Sequence, residues 1–78
     1  MQHSPAVNLL DAIRRECRLN IAFIRCPVPD GEDVWLIGAM DENGEAWFSE
    51  HTDLLLAAAM LEKLVGRNRA ESDDLMRL

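Results

Sequence analysis

Seventy-eight residues, 49% hydrophobic and 28% charged, make one domain with one core. A chain this short buries roughly 60% of its unfolded surface, and a ligand pocket of about 300–1,000 Å³ would consume much of that core, which disfavours an enzyme. The net charge of −6 disfavours direct binding to nucleic acid or to an anionic membrane surface, since both recruit Lys and Arg.

The start, Met1-Gln2-His3-Ser4-Pro5, lacks a basic segment followed by an apolar one, so no secretory leader is expected. The longest apolar run, Leu54 to Leu61, is far below the roughly 18 residues that span a bilayer. Cys17 and Cys26 do not make a disulfide framework, which points to a reducing cytoplasm.

Ser4 followed by Pro5 reads as a helix start, with Ser4 as N-cap and Pro5 at the first helical position. Ala6, Leu9, Leu10, Ile13 and Cys17 then recur at helical spacing, predicting an amphipathic helix over 5–18. Asn20 to Cys26 is rich in Ile and Phe and reads as a first strand. It stops where Pro27, Pro29 and Asp30-Gly31 cannot continue a ladder. A second strand runs over 33–40, and Asp41-Glu42-Asn43-Gly44 is a hairpin signal, because Asn and Gly tolerate positive φ. A third strand covers 45–50.

A two-residue Asn43-Gly44 turn would set Glu42 opposite Glu45, a repulsive pair. A longer loop with Gly44 at a bulge avoids that clash and lays Phe48 beside Gly38. Thr52 is expected to N-cap a second helix, with Asp53 in its positive first turn, and Gly66 to stop it. The domain is then 1–67, with 68–78 a charged, mobile tail.

The order α-β-β-β-α predicts an α+β fold, with a three-stranded antiparallel meander packed against two helices. Apolar side chains are in surplus. The first two strands are apolar on both faces, and ten of the twelve residues from Leu54 to Val65 are apolar. If Leu54, Ala58, Leu61 and Val65 face the sheet, Leu55, Leu56 and Met60 need another cover. Two arrangements answer this. In one, toward which the sequence leans, the helices lie on opposite faces as an α/β/α sandwich, and a homodimer or partner covers the surplus of the second helix. In the other, both helices share one face and the second face pairs with another copy or another protein.

Between Cys26 and Glu62 there is no Lys or Arg. Asp30, Glu32, Asp33, Asp41, Glu42, Glu45 and Glu50 fall in this stretch and are candidate contacts for a protein partner with a basic surface. Trp35 and Trp47 read as core residues or as anchors at an interface or in a dimer. Trp35 points away from the face bearing Val34 and Leu36, so if helices cover only one face, one Trp is expected to be exposed.

No catalytic constellation survives. His3 and His51 are the only histidines, and His51 with Cys26 and Asp53 lacks the paired spacing of a metal site. Ser49-Glu50-His51 lists triad residue types, but adjacency is not triad geometry. Gly31, Gly38, Gly44 and Gly66 are too scattered for a phosphate loop. No cofactor is expected.

The run Ala46-Trp47-Phe48-Ser49-Glu50, followed by Thr52 and the Leu54–Leu64 helix, resembles small phage proteins of the α/β/α-sandwich type, compact acidic anti-CRISPR proteins among them. The likeness covers residues 20–66. It implies a phage or mobile-element product that binds a host nucleoprotein in the cytoplasm and blocks it sterically or by imitating nucleic-acid charge. It carries over no functional residue.

Overall fold

The computed structural model describes residues 4–76, with side chains from Ser4 to Gly66; His3 lies outside the described residues. Helix α1 is Pro5–Cys17, strands β1, β2 and β3 are Asn20–Cys26, Val34–Met40 and Ala46–His51, and helix α2 is Leu54–Met76. The predicted order and α+β class hold.

Helix α1 begins at Pro5, whose fixed φ suits a first helical position. Ser4 takes the extended conformation of a cap, but its hydroxyl makes no capping bond. Its carbonyl instead accepts the Asn8 N–H at 3.0 Å. At the other end Arg18 enters the left-handed region (φ 54°), and the Leu19 N–H bonds the Arg14 carbonyl at 3.0 Å. This six-to-one closure ends the helix and drops Leu19 into the core. On the exposed face Asp11 meets Arg14 at 2.7 Å and Arg15 at 3.2 Å. The Arg14 hydrogen bond holds the Asp11 carboxyl below its ordinary range.

The strands form one antiparallel sheet in the order β1-β2-β3. The β2–β3 hairpin uses the longer loop. Met40 pairs with Ala46 and Gly38 with Phe48, and Gly44 sits at φ +84° with its N–H on the Asp41 carbonyl. One Asp41 carboxylate oxygen accepts the backbone N–H groups of both Asn43 and Glu45 at 2.9 Å. Turn chemistry thus sets the register.

Both helices lie on one face of the sheet, not on opposite faces. Leu10 and Ile13 of α1, Leu19, Ile37 and Ala39 of the chain between the helices, and Ala57, Ala58, Leu61 and Val65 of α2 form a single buried cluster. The physical reason is scale: a domain of this size has apolar material for one core, and dividing it between two sheet faces would leave two thin ones. Ala57 and Ala58 are fully buried, and their small side chains let neighbouring elements approach closely.

Both ends of α2 differ from the sequence expectation. Asp53, not Thr52, caps α2: its carboxylate accepts the N–H groups of Leu55 at 2.8 Å and Leu56 at 3.3 Å. The helix also runs through Gly66 to Met76, across the expected boundary with a mobile tail. Gly66 costs a helix about 1 kcal/mol relative to Ala. Among the described residues, and apart from its own chain neighbours and helix backbone, no heavy atom lies within 4 Å of where its Cβ would stand. Gly66→Ala should therefore raise unfolding stability by about 0.5–1 kcal/mol, measured by urea melts.

Candidate functional site

Pairing register dictates what each sheet face presents. The inner face carries Ile21, Phe23 and Arg25 of β1, Trp35, Ile37 and Ala39 of β2, and Trp47, Ser49 and His51 of β3. Both Trp residues therefore lie on the helix-covered face, correcting the expectation that one would be exposed. Trp47 packs against the core. Trp35 is half-buried at the far end, with Phe23 tilted against it at a ring separation of 6.0 Å and the Arg25 guanidinium 5.8 Å from its centre.

The outer face carries Asn20, Ala22, Ile24 and Cys26, then Val34, Leu36, Gly38 and Met40, then Ala46, Phe48 and Glu50. Among the described residues nothing covers its middle. Phe48 is 73% exposed, Ile24 59% and Met40 47%. The sequence reading placed Phe48 correctly in the ladder but missed it as the exposed aromatic. The signal was its partner Gly38, which has no side chain to shield it. A Cβ at Gly38 would stand 3.4 Å from the Phe48 ring, so the ring leans across β2 toward the centre of the face. Two shallow grooves of about 250 and 310 Å³ flank it, and both are bordered by Ala22, Gly38 and Phe48.

A second apolar surface lies on α2, turned away from the sheet. Leu55, Leu56 and Met60 are 42–49% exposed, as is Leu64, which the sequence reading omitted. Leu56, Met60 and Leu64 stand four residues apart and form one stripe. Leu55 lies on the other flank of the helix.

The candidate acids do not form one patch. Asp30, Glu32 and Asp33 occupy the β1–β2 connection, while Asp41, Glu42 and Glu45 occupy the hairpin at the opposite end of the sheet, about 20 Å away along strands of this length. Glu50 stands on the outer face opposite Leu36. Asp33 pairs with Arg25 at 3.2 Å, and Asp41 is engaged in its own turn.

The residue types of a triad are dispersed. Ser49 is buried, and its hydroxyl donates to the Ala57 carbonyl at 2.8 Å, tying β3 to α2. The Asp53 N–H donates to His51 Nδ1 at 3.0 Å, which places any proton of the neutral ring on Nε2. Glu50 points to the opposite face from both. Cys17 and Cys26 are half-buried thiols. Among the described residues no three His, Cys, Asp or Glu gather as a metal set, and no helix is long and apolar enough to cross a membrane. No protein-family model, curated protein or solved structure matches the chain.

Proposed function

We propose that this chain is a non-catalytic protein-binding module that acts stoichiometrically. The observation that carries this reading is the apolar surface outside the core: Phe48, Ile24 and Met40 on the sheet, and Leu55, Leu56 and Met60 on α2. Fully burying such side chains is worth roughly 1.5–3 kcal/mol each. Leaving six of them about half exposed forgoes several kcal/mol, a large share of the roughly 5–15 kcal/mol that holds a small domain together. Patches of that kind on small proteins mark interaction sites.

Acidic loops at both ends of the sheet add a negative field that steers a partner with a basic surface. In its finer form the reading follows the likeness to anti-CRISPR-type phage proteins: an inhibitor that docks on a host nucleoprotein in the cytoplasm. The second reading, a homodimeric structural or adaptor subunit, is favoured by the uncovered sheet face.

The test is capture by the immobilised chain from extracts of the cells that carry its gene. A partner held by the wild type should be released by Leu56→Ser/Met60→Ser. It should also be weakened by Glu42→Lys/Glu45→Lys, more so at low salt, where charge pairing is least screened. Identical capture by wild type and all variants overturns the reading.

A further inference from the structure

We propose that the free edge of β1 receives an extended segment of the partner, apolar at its centre and cationic at each end. This presumes the binding module argued above, and names the element that docks on it.

β1 has the residues of a central strand in the position of an edge. Its run Ile21-Ala22-Phe23-Ile24 is apolar on both faces, the pattern of a strand covered on both sides. Yet β1 is an outer strand of the sheet, and five of its seven residues are exposed, Asn20 and Ala22 to Arg25. Helix α1 packs chiefly on α2 and only lightly on β1. Edge strands are ordinarily blunted by a charge, a proline or a bulge. From Asn20 to Ile24 there is none, and the register with β2 is unbroken. The other edge, β3, packs against α2 and bears Glu50 and His51.

Pairing fixes which groups are free. The Asp41 N–H bonds the Glu45 carbonyl at 2.9 Å. Alternation along an antiparallel ladder then turns the main-chain groups of Ala39, Ile37 and Trp35 toward β3, and those of Met40, Gly38 and Leu36 toward β1. Asn20, Ala22 and Ile24 stand opposite the latter three. The N–H and C=O groups of Ile21, Phe23 and Arg25 therefore point out from the edge, a template for an added strand.

Charge selects the segment. At the start of β1 an open groove of about 260 Å³ gathers Glu16, Asp41 and Glu42, with only Arg18 among its lining residues to balance them. Beyond the end of β1 stand Asp30, Glu32 and Asp33, and Arg25 pairs with the last at 3.2 Å. The two ends lie about 20 Å apart, roughly six steps of an extended chain. A strand with Lys or Arg at both ends of that span complements both. A second copy brings acids against acids, whichever way its β1 runs.

The probe is the peptide Lys-Lys-Val-Thr-Val-Thr-Val-Lys-Lys, capped at both ends and titrated into the full chain, isotope-labelled for amide NMR. At saturation it should slow solvent exchange at the Ile21, Phe23 and Arg25 amides about tenfold or more, and leave Ala22 and Ile24, already in the ladder, little changed. N-methylating its valines and threonines, or replacing its lysines by glutamates, should abolish binding. Raising salt from about 0.05 to about 0.5 M should weaken it about tenfold. Phe23→Pro removes the central outward N–H where an edge strand tolerates Pro, and should lower affinity about tenfold or more. Arg25→Pro serves if circular dichroism shows Phe23→Pro unfolded. Leu56→Ser/Met60→Ser should leave peptide binding unchanged.

A lysine peptide that fails to bind at millimolar concentration, binds equally well N-methylated, or leaves the outward amides unprotected overturns the proposal. So does a dimer in sedimentation that Phe23→Pro dissociates, since a second copy then holds the edge. If the peptide fails while Leu56→Ser/Met60→Ser still releases a captured partner, the binding module stands without this edge. If capture is also identical for every variant, both fall.

Discussion

Replacing Leu61 by Ala should lower unfolding stability by about 2–5 kcal/mol, through lost burial plus the cavity left behind. Leu61 is fully buried at the centre of α2, in the cluster that joins both helices to Ile37 and Ala39 of the sheet. Domains of this size have stabilities of about 5–15 kcal/mol, so the loss takes a large fraction of the whole, and the melting temperature should fall by more than about 8 °C. Leu56→Ala, one turn earlier and 49% exposed, should change stability by no more than about 0.5 kcal/mol. The pair is measured by urea melts at one fixed protein concentration, because dimerisation would otherwise contribute to the apparent stability. Equal losses at the two positions would mean that the outer flank of α2 belongs to the fold, and the argument that it is surplus would fail.

That contrast bears on what the sequence revealed. Apolar residues in β1 and β2 alternate with more apolar residues, so periodicity identified strands but carried no signal for which face the helices would take. The choice of one face over two was a matter of how much core a short chain can build, and spacing does not encode it. Helix α2 was different. Leu55, Leu56 and Met60 were singled out because the stripe through Ala58, Leu61 and Val65 already filled the inward side, and all three are exposed.

The hairpin was legible to the residue, because Asp41, Asn43 and Gly44 each favour a specific turn geometry and the Glu42–Glu45 repulsion removed the competing register. The same register, extended four positions, sets Trp47 across from Ala39 and hence on the face of Trp35. The expected exposed Trp was therefore inconsistent with a pairing the sequence already implied. The cap of α2 was misread by one residue, since Thr52 and Asp53 are both good caps; in the structure the Asp53 carboxylate takes the Leu55 and Leu56 N–H groups. The acids looked like one region because they are close in sequence. An antiparallel sheet puts its successive connections at opposite ends, and the region divides accordingly.

Asp41 is where that division matters most for experiment. Asp41→Ala should cost about 1–2 kcal/mol, because it removes two charge-assisted hydrogen bonds that fix the hairpin, although exposure to water moderates the loss. Both bonds run from the Asn43 and Glu45 N–H groups to the same carboxylate oxygen at 2.9 Å, and they orient the loop so that Gly44 can close it. Glu42→Ala and Glu45→Ala, whose side chains make no hydrogen bond or ion pair among the described residues, should each fall within about 0.5 kcal/mol of the wild type. Thermal melts of the three variants check this. A loss at Asp41 no larger than at its neighbours would show that the loop holds its shape through Asn43 and Gly44 alone. If the loss is as expected, a charge reversal that includes Asp41 disturbs the hairpin that aligns Phe48 with Gly38, and weaker binding by such a variant would report a slipped strand rather than a lost charge. Partner electrostatics are therefore read from Glu42 and Glu45, with Asp41 left in place.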